Sequence, residues 1–471
     1  MVENLKLKLC GFISIILLYY VVADKSIFIY VSSLCLYNIF LSCFEGISLK
    51  EKLNTNKNAK YKIFIATLIV SSSVSLLFLI LGILIGDLFE TLLGVVNTNF
   101  TFVMMGLSLL TCELKNISID YYLNTSNNKK MSILFKYYHY IEIILFVINS
   151  LIFFRLVDIP LHIANGLLFL PSILLSLLLF MLILFVINYT EKKKIKDKNN
   201  IKINYKKDLK DIFVNNFSSK MISVVKNSYY YISVIVLYMI LSFRYNYLIS
   251  QISNIIIFIY FYGIYFINFI SDLITYIIEL VNKKDDWLSK IYMIFDKMLS
   301  ISIIIGVISP LICKVIFNSS ENAIYLMMLG IFGIFISLYN YTFKNISSEK
   351  IIYVSLVSGI LTKLILIIPL VDSFYRTGYN LIYGDIVSTI LGMFISFIIN
   401  YIYLKIRDKK ELHLEKILRI LYENIILCII LVIIQFIIPV KEYGYFKSLI
   451  LMIIYSFIGI WFLRFKKKNR G

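Results

Sequence analysis

The sequence predicts an all-α integral membrane protein of about fourteen transmembrane helices. Three observations predict it. Of 471 residues, 60% are hydrophobic and only 16% are charged, with a mean hydropathy of +0.84. An ordinary soluble domain is roughly 45–50% apolar and about 25% charged, so a fold in water has no interior large enough for this chain. The apolar residues fall in successive runs of about 20, the length of helix that crosses a hydrocarbon core. The basic residues, 47 Lys and Arg against 28 Asp and Glu, gather in alternate turns between the runs.

The runs cover 9–23, 27–45, 63–86, 98–114, 132–154, 161–188, 227–243, 250–280, 292–316, 323–343, 351–371, 382–404, 418–439 and 446–464. The first is short, and Lys6 and Lys8 extend it by snorkelling to the interface. It resembles a signal peptide, but no small-x-small cleavage site follows, so it reads as a retained helix. With the N-terminus in the cytoplasm, the inner turns hold Lys50-Glu51-Lys52, Lys129-Lys130, the segment 191–226, Lys283-Lys284, 344–350 and 405–416. The tail Arg464-Phe465-Lys466-Lys467-Lys468 also falls inside. This bias places both termini in the cytoplasm and accounts for the net charge of +19 without a nucleic-acid partner. The polar segment 189–226 separates six runs from eight and divides the chain into 1–188, the linker 189–226, 227–410, and a last pair of runs in 411–471. Its basic stretch suits a solvated linker or an anionic lipid surface.

No P-loop, G-x-S-x-G or H-E-x-x-H is present, and no pair of cysteines has metal spacing. The six cysteines read as small buried hydrophobes, and neither a cofactor nor a bound metal is expected. Chemistry is sought instead among ionisable groups inside the spans, which are costly there and face a cavity or a partner. Lys363 stands in the middle of the eleventh run, too deep to snorkel. It reads as a cation meeting an anionic headgroup, or as half of an internal salt bridge holding two helices. Lys136, His139 and Glu142 recur every three residues along one face of the fifth run. Asp272 lies in the eighth run, and Glu45 closes the second, where it serves as a helix end or a cavity mouth. Pro310 and Pro369 interrupt late runs and mark kinks or packing irregularities.

These residues carry a resemblance. The segment 325–405 includes Val357-Ser358-Gly359-Ile360-Leu361-Thr362-Lys363 and Gly384-Asp385-Ile386-Val387-Ser388-Thr389. It resembles the tenth to twelfth helices of the flippases of the multidrug/oligosaccharidyl-lipid/polysaccharide exporter superfamily, in particular the sporulation stage V protein B group. Phe44-Glu45-Gly46, Tyr138-His139-Tyr140-Ile141-Glu142 and Ile278-Glu279-Leu280 resemble further segments in order and spacing.

The resemblance implies two six-helix lobes in a V-shaped arrangement, with two additional C-terminal helices, in the plasma membrane of a bacterium. It implies a non-enzymatic transporter that flips a polyprenyl-pyrophosphate-linked sugar, driven by the membrane potential or by Na⁺ or H⁺. Lys363, Lys136, His139, Glu142, Asp272 and Glu45 are then the cavity candidates, with Glu142 and Asp272 as coupling-ion candidates. Membrane lipids and cell-envelope polysaccharide enzymes are the implied partners. Lipid II flippases typically carry arginines in the first helix, and often in the eighth; neither run here has one, which leaves a related isoprenoid-linked sugar open beside a peptidoglycan precursor. A cation-coupled drug exporter is the alternative, followed by a membrane polysaccharide polymerase or ligase, for which the outer loops are short.

Overall fold

The computed structural model describes residues 27–44, 60–93, 98–125, 129–157, 159–195, 265–281, 287–317, 323–379, 381–437 and 445–468, with isolated positions elsewhere. Among the described residues there is no strand. Among the described residues, six α-helices belong to the N-terminal unit: α1 (Ile27–Phe44), α2 (Lys60–Leu93), α3 (Asn99–Thr125), α4 (Lys129–Leu151), α5 (Leu161–Leu167) and α6 (Leu170–Ile195). Seven form the C-terminal unit: α7 (Tyr265–Val281), α8 (Trp287–Phe317), α9 (Ala323–Lys344), α10 (Glu349–Arg376), α11 (Ile382–Asp408), α12 (Leu414–Ile437) and α13 (Tyr445–Lys468). Eight of these helical segments are long and apolar enough to cross a membrane. The first and seventh apolar runs lie outside the described residues, apart from isolated positions, as do most of the linker 189–226 and Glu45.

In the N-terminal unit α3 is the central helix, against which α1, α2, α5 and α6 all pack. It runs eleven residues past the expected end at 114, to Thr125. The charges that ended the apolar run, Glu113 and Lys115, are buried rather than at an interface. Phe64 of α2 stacks on Tyr121 of α3 with centroids 4.4 Å apart, and both rings are buried. The expected sixth span is one apolar segment of membrane-crossing length, His162–Asn188, within which α5 and α6 are joined by a turn at Leu168-Phe169; the preceding helix α4 ends in a π-turn, Ile152–Leu156. Gly166 makes the close approach of α5 to α3 feasible, because a Cβ there would stand 2.5 Å from Phe100.

In the C-terminal unit α10 and α11 form an antiparallel hairpin, closed by a turn in which Gly378 takes φ +74°. Glycine reaches that conformation without a Cβ clash. Helix α9 packs between α8 and α11, and Ser302 of α8 donates to the Gly330 carbonyl of α9 at 2.6 Å. Helices α12 and α13 both pack on α8, through a core of Val307, Ile308, Leu311, Leu427, Leu431, Leu451 and Tyr455. The last two helices thus join the same compact unit as the preceding five. Large apolar side chains such as Ile365, Ile406, Phe185 and Phe457 are exposed on the outer helix faces, as lipid contact requires.

Candidate functional site

Among the described residues, three clusters hold ionisable groups buried inside helices, one in the N-terminal unit and two in the C-terminal unit.

The first is built by α1, α3, α4 and α6. Lys115 of α3 is buried, and its Nζ lies 4.2 Å from the centroid of the Tyr138 ring on α4. A cation over an aromatic face is attracted by the ring quadrupole, more strongly where water is excluded. The Tyr138 hydroxyl is 2.9 Å from Ser176 Oγ of α6. One turn further along α4, the Glu142 carboxylate lies 3.6 Å from His139 Nδ1 and also hydrogen-bonds Ser172 of α6. Tyr37 of α1 hydrogen-bonds Cys112 of α3, and Asn116 donates to Cys112 Sγ at 3.6 Å. His139 and Glu142 do share a face, as their spacing predicts, with Glu142 the more protected of the two. Lys136 is on the same helix, and its side chain lies outside the described residues.

The second cluster joins α10 to α11. Lys363 belongs to a buried stripe of α10 that repeats every four residues: Ser355, Gly359, Lys363, Ile367 and Val371. Helix α11 turns Asp385, Ser388, Thr389, Gly392 and Ser396 inward. Lys363 Nζ and Asp385 Oδ1 are 3.6 Å apart, with side-chain exposures of only 4% and 5%. Lys363 thus has an ion-pair partner within the C-terminal unit.

The third cluster joins α8 to α12. Asp296, nine residues and roughly 14 Å into α8 from Trp287 at the helical rise per residue, is buried. Asn424 of α12 donates to Asp296 Oδ1 at 3.2 Å and to its own helix at Ile420 O at 2.8 Å. Ser300 Oγ lies 2.5 Å from Asn424 Oδ1 and 2.9 Å from the Asp296 carbonyl, within reach of both acceptors with one proton. Asp272 is half-buried on α7, and it lies two turns before Glu279, whose carboxylate is 3.9 Å from Lys344 of α9.

The sequence reading missed Lys115, Glu113, Asp385 and Asp296. Asp385 and Asp296 stand only a few residues inside their apolar runs, where an acid reads as interfacial. The available signal for Asp385 was Lys363 itself, because a mid-span ammonium requires a counter-charge on a neighbouring helix. Among the described residues no group of three or more His, Cys, Asp or Glu is placed to hold a metal ion.

No family model and no curated protein matches the chain. Solved structures do. A structure of the lipid II flippase MurJ in an inward closed conformation matches at a TM-score of 0.64 and 17% identity, covering 99% of this chain and 98% of that one. An inward-facing structure of a multidrug resistance MATE family transporter matches at a TM-score of 0.56 and 13% identity, over 86% of this chain and 93% of that one. An outward-facing one matches at 0.51 and 13%, over 86% and 95%. At such identities the likeness is one of fold. The described residues share the all-helical fold of this flippase and these transporters, in a chain whose helical segments are long and apolar enough to cross a membrane many times.

Proposed function

We propose that the chain is a plasma-membrane exporter that carries a polyprenyl-pyrophosphate-linked sugar from the cytoplasmic to the outer leaflet by alternating access. The observation that carries this reading is the fold, matched over nearly the full length of both chains by a protein that handles lipid II. The buried cations Lys115 and Lys363 support it. A sugar pyrophosphate cannot cross hydrocarbon unaided, since its charges and hydroxyls would lose their water. With a negative cytoplasm, outward movement of an anion is favoured by about 2.3 kcal/mol per charge per 100 mV. In this reading Lys363, ion-paired with Asp385 in the C-terminal unit, is the cation that meets the anionic headgroup. His139, Lys136 and Glu45 contribute to the headgroup path, and Glu142 and Asp272 are the acids that take Na⁺ or H⁺. Both termini are cytoplasmic by the bias of basic residues, and the enzymes that make and use envelope polysaccharide precursors are the functional neighbours.

A second reading, a cation-coupled drug exporter, is favoured by the likeness to the multidrug transporters and by Glu142, a protected acid in the N-terminal unit. One proteoliposome preparation separates the two. Flipping of a labelled polyprenyl-pyrophosphate disaccharide, without efflux of an amphiphilic cation dye, supports the first. Dye efflux without lipid flipping overturns it in favour of the second. Glu142→Gln and Asp272→Asn together then abolish the response of transport to an imposed Na⁺ or H⁺ gradient; unchanged coupling removes the ion-binding role from both acids.

A further inference from the structure

Helix α13 has two unlike faces. Leu451, Tyr455 and Gly459 are buried and pack the helix on α8 and α12; a Cβ on Gly459 would stand 2.5 Å from Ile304 of α8. The other face carries Ile450, Ile454, Phe457 and Trp461, with Phe457 exposed by 69% and Trp461 by 65%. Their spacing of four, three and four residues keeps them on one side of the helix, and the same spacing continues to Arg464 and Lys468. This side is therefore apolar, then aromatic, then basic. With 24 residues, α13 is roughly 36 Å long at the helical rise, against a hydrocarbon core of about 30 Å. A turn or more of it stands beyond the hydrocarbon, and Arg464-Phe465-Lys466-Lys467-Lys468 forms a basic end at the level of lipid headgroups. Tryptophan favours the boundary between hydrocarbon and headgroups, and Trp461 falls between the apolar stripe and this basic end. Five basic residues lie between 464 and 470, and no Asp or Glu occurs from 448 to 471, so the charge has no offset within the segment.

We propose that this end of α13 is a docking surface for an anionic phospholipid, with the headgroup phosphate met by the basic residues of 464–468 and an acyl chain along Phe457 and Trp461. Charge complementarity selects the occupant. A zwitterionic lipid offers the same chains but no net charge, whereas each basic residue near an anionic bilayer surface adds an attraction that falls off within a Debye length. An acidic protein or a nucleic acid would meet the basic end from water and leave Phe457 and Trp461 without a role. The inference does not depend on which substrate the protein carries, or on which side of the membrane α13 ends.

Trp461 reports on this surface directly, since the chain has two tryptophans and the other, Trp287, is buried. Full-length Trp287→Phe protein is reconstituted into vesicles of phosphatidylcholine and phosphatidylglycerol in equal amounts, with brominated chains, which quench tryptophan, on one lipid or the other. Brominated phosphatidylglycerol is expected to quench Trp461 about two- to fivefold more than brominated phosphatidylcholine. The excess is expected to vanish in high salt, and when Arg464→Gln, Lys466→Gln, Lys467→Gln and Lys468→Gln are combined. Equal quenching by the two lipids overturns the proposal and leaves the basic end to a soluble acidic partner. An excess that survives high salt or the combined substitutions places the anionic lipid elsewhere and also overturns it. Should Trp287→Phe yield no folded protein, the wild type takes its place, with Trp461→Phe supplying the Trp287 background. Should the combined variant fail to fold, the salt series on the parent protein decides alone.

Discussion

Asn424 of α12 gives its side-chain amide to Asp296 Oδ1 of α8 at 3.2 Å, and its carbonyl oxygen lies 2.5 Å from Ser300 Oγ. Both Asn424 and Asp296 are almost fully buried, at 1% and 2% exposure, so this contact fixes how α12 lies on the unit. Asn424→Leu leaves Asp296 short of a donor and is expected to destabilise the protein by about 1–3 kcal/mol, the cost of an unsatisfied buried polar group. Asp296→Asn removes the charge while keeping a carbonyl acceptor and is expected to cost less. Thermal unfolding of the two variants checks the order; an Asn424→Leu protein as stable as wild type would show that α12 docks through its apolar face alone.

The α10–α11 contact at Gly384 predicts a steric defect. Gly384→Ala places a methyl against the Val371 backbone, which cannot rotate away, and overpacking of this kind costs about 1–3 kcal/mol. Gly306→Ala is the control: the nearest heavy atom is Met327 Cγ at 3.5 Å, an ordinary contact on a flexible side chain. Gly306→Ala is expected to match or exceed wild type in Tm, because alanine also favours the helix. Comparable losses in both variants would mean that the Gly384 defect does not come from the contact with Val371.

Tyr138 has two roles that substitution separates. Tyr138→Phe removes the hydroxyl that meets Ser176 at 2.9 Å but keeps the ring beside Lys115, with an expected cost of about 0.5–1.5 kcal/mol. Tyr138→Leu also removes the ring face from a buried ammonium and is expected to cost about 2 kcal/mol more. Chemical denaturation of both in the same detergent measures the difference. Equal losses would mean that Lys115 is held by other groups.

The exposed pair at the end of α11 behaves differently from the buried one. Hydrogen bonding to Lys405 Nζ at 2.9 Å, and its charge, hold the Glu411 carboxyl below the ordinary carboxylate range. A carboxyl shifted down contributes stability above its unfolded value and loses it as pH falls through the folded one. Both side chains are open to solvent, so screening leaves little of this contribution. Glu411→Gln is expected to unfold like wild type near neutral pH in high salt, with a small loss at low salt that disappears in acid. A salt-independent loss would reveal a packing role for Glu411.

The hydrophobic pattern made most of the helices legible, because runs such as 323–343 and 382–404 nearly coincide with α9 and α11. It failed where a charge is buried by a partner from another helix. Helix α3 continues through Glu113 and Lys115, which a hydropathy reading takes as the end of a span. The run 161–188 coincides with one membrane-length segment, His162–Asn188, and the turn at Leu168-Phe169 inside it leaves no mark on the pattern because it is as apolar as the helices it joins. At the site level, the i+3 spacing of His139 and Glu142 was sufficient to place them together. Lys363 was singled out by depth alone, but its partner was not. Which helix faces α10 is a matter of packing, and spacing within one run carries no information about it.

The order in which the two charges of the α10–α11 hairpin are synthesised has a consequence for biogenesis. Asp385 follows Lys363 by 22 positions, since 385 − 363 = 22. When α10 emerges from the ribosome Asp385 has not yet been made, and a lysine at the centre of a lone helix disfavours insertion by about 2.5–3.5 kcal/mol. Asp385 offsets that penalty once α11 has been made and folded back. The hairpin therefore enters the bilayer most readily as a pair, and a pause or a cleavage in the turn around Gly378 would strand α10 at the translocon.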